Sequence, residues 1–183
     1  MTSAGVSLTG NLGITGDASL TTITAKTSGD RRHFYVDSGR TLTLKWLKLT
    51  GGSMLGSSHN LGGSIYVSGT GSTLHATSCV FFLNTAYGGG GVFNSRGSLL
   101  IQDSIIANNT AVYQGGGIRQ RYGTATIIRS LISRNRQTNT GASATSGGGG
   151  VYIFFNAVLN VRETTIEHNR AGSNHGHQIM AYK

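Results

Sequence analysis

At 183 residues, with 29 glycines, no proline, one cysteine and 11% charged residues, the chain has the length of one domain with a real core. It fits neither a charge-rich disordered segment nor a Pro/Gly linker, and no apolar stretch approaches a membrane span. Fifteen Lys and Arg against six acids give a formal charge of +9, which admits an anionic partner, while the lone Cys79 excludes an internal disulfide and a Cys-cluster zinc site.

The basic residues are scattered, densest at 30–34, 119–122 and 133–137, and read as a solvated basic surface in preference to a nucleic-acid groove. Runs rich in Val, Ile, Thr, Tyr and Phe alternate with Gly/Asn/Ser clusters, and no helical period persists over a helix-length window. The chain is therefore expected to be all-β.

Taken in chain order, 1–33 reads as an N-terminal coil or cap and 34–183 as repeat coils of one domain covering 1–183. The opening "MTSAGVSLTG" lacks the basic-then-apolar layout of a secretory signal, so any export signal is expected to have been removed or to lie outside this chain. "HFYV" supplies Phe34 as a first, weaker anchor. Each later unit then repeats one plan: an alternating strand ("TLTLKWLKL", "GSLLIQDSII", "GTATIIRSLI", "AVLNVRETTI"), a corner, a loop, a glycine cluster and a short strand ("SIYV", "GVFN", "GIRQ", "GVYI", "QIMA").

The residues after the glycine clusters, Ile65, Val92, Ile118, Val151 and Ile179, are spaced 27, 26, 33 and 28 apart. Upstream of the clusters lie Phe81-x-x-Asn84, Ile106-x-x-Asn109, Ile132-x-x-Asn135 and Ile166-x-x-Asn169, with Leu49-x-x-Gly52 at the equivalent place. Asn and Gly enter left-handed backbone most readily, so this position is read as a turn. Units of this size cannot fold alone and must stack. The expected fold is a single-stranded parallel β-helix of about six coils, roughly 30 Å tall at one strand spacing per coil. The absence of proline suits strands that donate every N–H to a neighbouring coil. The insertion "QTNTGASATS" (137–146) is expected to bulge from the corner that carries "GGSMLGSSH" (51–59).

The paired F-x-x-N and glycine-cluster-plus-aliphatic elements resemble the repeats of chlamydial polymorphic outer membrane proteins and related right-handed parallel β-helix surface proteins. The resemblance covers about 50–183, and "FFLNTAYGGGGV" is the nearest copy. It implies a right-handed coil and suggests a cell-surface or extracellular, adhesive role.

In this register the small residues Cys79, Ser104, Ser130 and Thr164 form one column, and Asn84, Asn109, Asn135 and Asn169 a structural amide ladder. Cys79 reads as a buried filler and not a reactive thiol. An outward column runs Trp46, Ser78, Asp103, Arg129, Glu163, and its alternating charges read as an exposed ion-pair ladder. The histidines, including the His175/His177 pair, read as surface or corner residues. No metal, no cofactor and no catalytic residue is assigned.

One residue past the anchors lies a more suggestive row: Tyr35, Tyr66, Phe93, Arg119, Tyr152 and Met180. The first five are the candidate binding residues, an outward aromatic row with a guanidinium for a carboxylate or sulfate. The favoured function is a non-catalytic adhesion or assembly module working through this aromatic–basic face. Its partners are a protein or a second copy, meeting it at this row or edge to edge, with acidic polysaccharide the further candidate. The alternative is a carbohydrate-active lyase or epimerase-like enzyme on an acidic polysaccharide. An ice-binding lattice is set aside, since the column Thr43, His75, Leu100, Thr126, Asn160 is too mixed. The last anchor lies four residues from Lys183, so the final coil is expected to meet a protein surface or to belong to a longer chain.

Overall fold

A computed structural model describes residues 5–25, 29–57, 60–141, 145–172 and 176–182. Every described strand is parallel to its sheet neighbours, and there is no helix among the described residues. The chain winds as a β-solenoid of about six turns. Four sheets run along its length. The first contains the anchors: Val6–Ser7, Phe34–Val36, Ile65–Val67, Val92–Asn94, Ile118–Gln120, Val151–Phe154 and Ile179–Tyr182. The second holds the longer alternating strands, such as Ser98–Gln102 and Thr124–Ile128; the third holds the short strands before the Asn ladder, such as Ile105–Ala107. The fourth, with Thr85–Gly88 and Thr110–Gln114, leads into the glycine clusters.

The register expected from spacing is the one observed. Ile65 pairs with Val92, Val92 with Ile118, Ile118 with Val151 and Val151 with Ile179. Leu99 and Ile101 pair with Ala125 and Ile127 in the second sheet. Apart from Ile179, which is exposed in the last coil, these inward residues are buried, so one continuous core runs up the axis through Leu44, Ile65, Leu74, Phe81, Val92, Ile101, Ile106, Ile118, Ile127 and Ile132. Each such side chain contributes on the order of 2 kcal/mol by leaving water.

Two corners of each turn are made by a single left-handed residue. The first separates the second and third sheets and falls on Trp46, Ser78, Asp103, Arg129 and Glu163, with φ between 45° and 54°. The outward column of the sequence reading is therefore this corner, and its side chains stand outward because the backbone turns there. The second falls on Leu83, Asn108, Arg134 and His168, with φ between 53° and 55°. This corrects the reading by one residue: the ladder Asn follows the left-handed position.

The Asn points inward and serves another purpose. Asn84 N–H and Nδ2 both donate to Asn109 Oδ1 at 3.0 Å, Asn109 does the same to Asn135 at 3.0 Å, and Asn135 to Asn169 at 2.9 and 3.0 Å. Each Nδ2 also donates to a carbonyl one turn back: Leu49, Phe81, Ile106 and Ile132 in order. The ladder ends on Gln178, whose Oε1 accepts from Asn169 Nδ2 at 2.9 Å.

The first corner has a smaller version, in which Cys79, Ser104 and Ser130 N–H donate to the Ser104, Ser130 and Thr164 hydroxyls at 3.0, 3.1 and 3.2 Å. Cys79 is fully buried and its thiol is pushed up by burial, the inert filler expected of it.

The glycine clusters have a steric origin. Gly89 is left-handed at φ 64°. A Cβ on Gly90 would sit 2.5 Å from the Thr110 carbonyl and closer still to that of Gly116. Gly63, Gly116 and Gly149 face the carbonyl of the next turn in the same way. At these positions the turns approach more closely than any side chain permits.

The loop after Arg136–Gln137 leaves from the same edge as the loop after Ser53–Met54, as the insertion lengths imply. It folds back on the fourth sheet, where Tyr113 and Thr145 hydroxyls meet at 2.8 Å.

Candidate functional site

Alternation along each first-sheet strand sends Ile65 and Val67 into the core and Tyr66 outward. The predicted row is in register rung by rung: Tyr35 beside Tyr66, Tyr66 beside Phe93, Phe93 beside Arg119, Arg119 beside Tyr152 and Tyr152 beside Met180. Ring centroids lie 5.2 Å apart for Tyr35–Tyr66 and 4.8 Å for Tyr66–Phe93, the spacing of adjacent strands. The Arg119 guanidinium continues the stack with its carbon 5.0 Å from the Phe93 ring centre. Arg32 leans over Tyr35 and Tyr66 at 5.8 and 5.2 Å.

The row is not an open platform along its whole length. Phe93 and Tyr152 are 1% and 0% exposed, whereas Tyr35, Tyr66 and Arg119 are half-buried. Phe93 and Tyr152 support the row from within, and its accessible surface lies at the other three.

Beside this row runs a second one that sequence reasoning missed. It comprises Arg121, Phe154 and Tyr182, each two residues beyond a member of the first row, with Arg96, Tyr122 and Phe155 at its margin. Period two along the strand was the available signal. The Tyr122 and Phe155 rings stack at 4.8 Å and 9°. The Arg96 and Arg121 guanidinium carbons lie 5.4 and 5.5 Å from the Tyr122 ring centre. Phe154 stands between two cations, its ring centre 6.0 Å from both Arg119 and Arg121. Phe155 and Tyr182 are 40% and 36% exposed.

Burial holds the Arg119 guanidinium down at about 10, with Arg121 adding repulsion and the tyrosine hydroxyls opposing it. Tyr152 is pushed up to about 12, first by burial. At neutral pH Arg119 is therefore a cation beside a neutral phenol. The Asp103–Arg129 ion pair and the Glu167–His168 contact, the carboxylate contacts within ion-pair distance among the described residues, both lie at the corners and away from this face. No carboxylate bonds Arg32, Arg96, Arg119 or Arg121 among the described residues. The Nε–H groups of Arg32, Arg119 and Arg121 are buried and have no acceptor. Asp30 acts on Arg32 through its charge alone, and the rest of the set has cations, stacking faces and free donors with no carboxylate bonded to them.

The other candidates are structural or isolated. Asp103 accepts from Arg129 Nε and Nη2 at 2.7 and 2.9 Å, so this rung of the expected ion-pair ladder forms. The guanidinium holds the Asp103 carboxyl below the usual carboxylate range. Glu163 acts on Arg129 only through its charge. Beside Asp103 a cavity of about 310 Å³ is lined by Leu20, Trp46, Ser78 and Ile105. Among the histidines, His33 is buried with Nε2 3.1 Å from the Ile23 carbonyl and Nδ1 3.1 Å from the Ser64 hydroxyl. His177 Nδ1 accepts from the Ala171 N–H at 3.0 Å, while His59 and His175 lie outside the described residues. No cluster of three metal-ligating side chains exists among the described residues.

Compared with known proteins, the chain matches no family model, no curated protein and no solved structure.

Proposed function

We propose that this chain is a non-catalytic β-solenoid module of a cell surface or the extracellular space, used in adhesion or assembly, and that it binds through the aromatic–arginine face of its first sheet. One observation carries the reading: four arginines and two rows of rings share a face on which no carboxylate pairs with them among the described residues. Desolvating a guanidinium without a counter-charge is costly, and a partner that brings the counter-charge recovers that cost on binding. The resemblance of the repeats to polymorphic outer membrane proteins supports the surface placement.

The second reading is a carbohydrate-active enzyme, favoured by the Trp46–Asp103 cavity. A lyase or epimerase needs a positioned, unengaged base to abstract a proton from the sugar. Here Asp103 is engaged by Arg129, and the next acid of the column, Glu163, stands beyond that arginine.

The test is a binding screen against neutral and acidic glycans and against the chain itself, at low and moderate salt, beside a Tyr66→Ala/Phe155→Ala variant whose melting is checked first. Affinity in the variant is expected to fall at least tenfold, with no product released from any bound glycan. Equal binding by the variant would overturn the assignment of the face. Turnover of a bound sugar would overturn the non-catalytic reading.

A further inference from the structure

On the reading just given rests a narrower one: we infer that Arg119 and Arg121 form a subsite for the carboxylate or sulfate groups of an acidic polysaccharide, with Phe154 and the Tyr122–Phe155 pair as stacking surfaces for its sugar rings. The two arginines are at alternate positions of one strand, Ile118–Gln120 and its continuation, so both side chains leave the same face. Their Cα atoms are then about 7 Å apart on strand geometry. Phe154 from the next turn stands between the guanidinium groups, 6.0 Å from each.

Two features mark the pair as a place for an anion. Both Nε–H groups are buried without an acceptor, and a buried donor without a partner in a native structure calls for an ion, water or ligand. The two cations also repel each other, which is part of what holds Arg119 down. An oxyanion held by the two guanidinium groups from the solvent side would reverse the repulsion, and a planar guanidinium suits a two-oxygen group.

The class of polymer follows from what the face does not offer. The first-sheet strands from Phe34–Val36 to Val151–Phe154 are paired on both sides, so this face presents no free backbone ladder to which a peptide could add as a strand. Recognition falls to side chains alone, and those present are cations and ring faces. Cations suit acidic groups, and ring faces suit the apolar faces of pyranoses. The rungs repeat at strand spacing, which matches a linear repeating ligand better than a single globular epitope.

Polygalacturonate supplies carboxylates and dextran sulfate supplies sulfates, with neutral dextran as the uncharged arm. Each is titrated by calorimetry into the whole chain, into Arg119→Gln/Arg121→Gln, and into Arg134→Gln/Arg136→Gln. The last pair removes the same charge from exposed residues at the second corner and in the fourth sheet. The account predicts that the first variant loses at least tenfold in affinity for one or both anionic polymers and shows a flatter salt dependence, whereas the second changes less than threefold. Arg121→Gln alone, just past the end of the strand Ile118–Gln120, covers the case in which the double variant does not fold.

Equal losses in the two variants would overturn the subsite in favour of diffuse charge. Tyr66-dependent binding only of neutral glycan or of protein would overturn the subsite and leave the binding face standing. Binding of nothing by a folded chain would overturn both.

Discussion

Gly90→Ala is expected to cost the fold about 3 kcal/mol or more, read as a large fall in the urea midpoint or as failure to fold. The added methyl group would meet the carbonyl oxygens of Gly116 and Thr110. Both are backbone atoms of the neighbouring turn, and the residues that carry them are held by backbone bonds: Gly116 N–H donates to Gly148 O at 3.0 Å and Thr110 N–H to Asn84 O at 2.9 Å. No side chain can rotate aside to make room. Gly10→Ala is the control, because nothing lies within 4 Å of its added Cβ, and its midpoint is expected to stay within about 0.5 kcal/mol of the parent in stability. Equal behaviour of the two variants would mean that the turns do not approach as closely as described.

Asn109→Ala is the second severe change. Asn109 is fully buried. Its Oδ1 accepts from Asn84 N–H and Nδ2, and its Nδ2 donates to Phe81 O and Asn135 Oδ1, all four at 3.0 Å. Alanine leaves all four partners without this bond in a region closed to water. Each such loss costs on the order of 1–3 kcal/mol, and they do not simply add, so a drop of about 4 kcal/mol is expected. Gln178→Ala removes only the end of the same ladder at a half-buried residue and is expected to cost about 1 kcal/mol. Chemical denaturation of both variants checks the contrast. A cheap Asn109→Ala would mean that the amides fix the turn locally and carry little from coil to coil.

The repeat made the fold legible. Anchors, strand order and register could be counted from the glycine clusters, and the columns from Thr43 to Asn160 and from Tyr35 to Met180 pair as the counting implies. The second left-handed corner was placed one residue late for a physical reason. Its side chain points to solvent, so Leu83, Arg134 and His168 all serve and composition carries no signal. The Asn beside it is visible because it is used for inward amide bonding and not for its backbone freedom.

The candidate site was half legible. Which residues share a rung follows from period, but which of them are covered depends on how side chains from different turns lie across one another. Arg119 stacks on Phe93, and Phe154 stands beside Tyr152 at 6.1 Å. Neither arrangement is written in spacing. Gln178 stands where the earlier turns carry the last glycine of the cluster, a departure that the sequence reading passed over. At the equivalent place in the preceding turn, a Cβ on Gly150 would meet Asn169 Nδ2 at 2.9 Å. In the last turn that space is filled by the Gln178 side chain, which takes over the ladder's final acceptor.

The most direct test of the binding face is a proton–nitrogen spectrum of the arginine Nε–H groups, titrated with polygalacturonate and with dextran sulfate at fixed low salt. The account predicts that the resonances of Arg119 and Arg121 move first and furthest, with Arg32 and Arg96 following and Arg129 unmoved in its pair with Asp103. Shifts confined to Arg129 and the Trp46 indole, with the first-sheet arginines silent, would place the ligand at the opposite corner and contradict it.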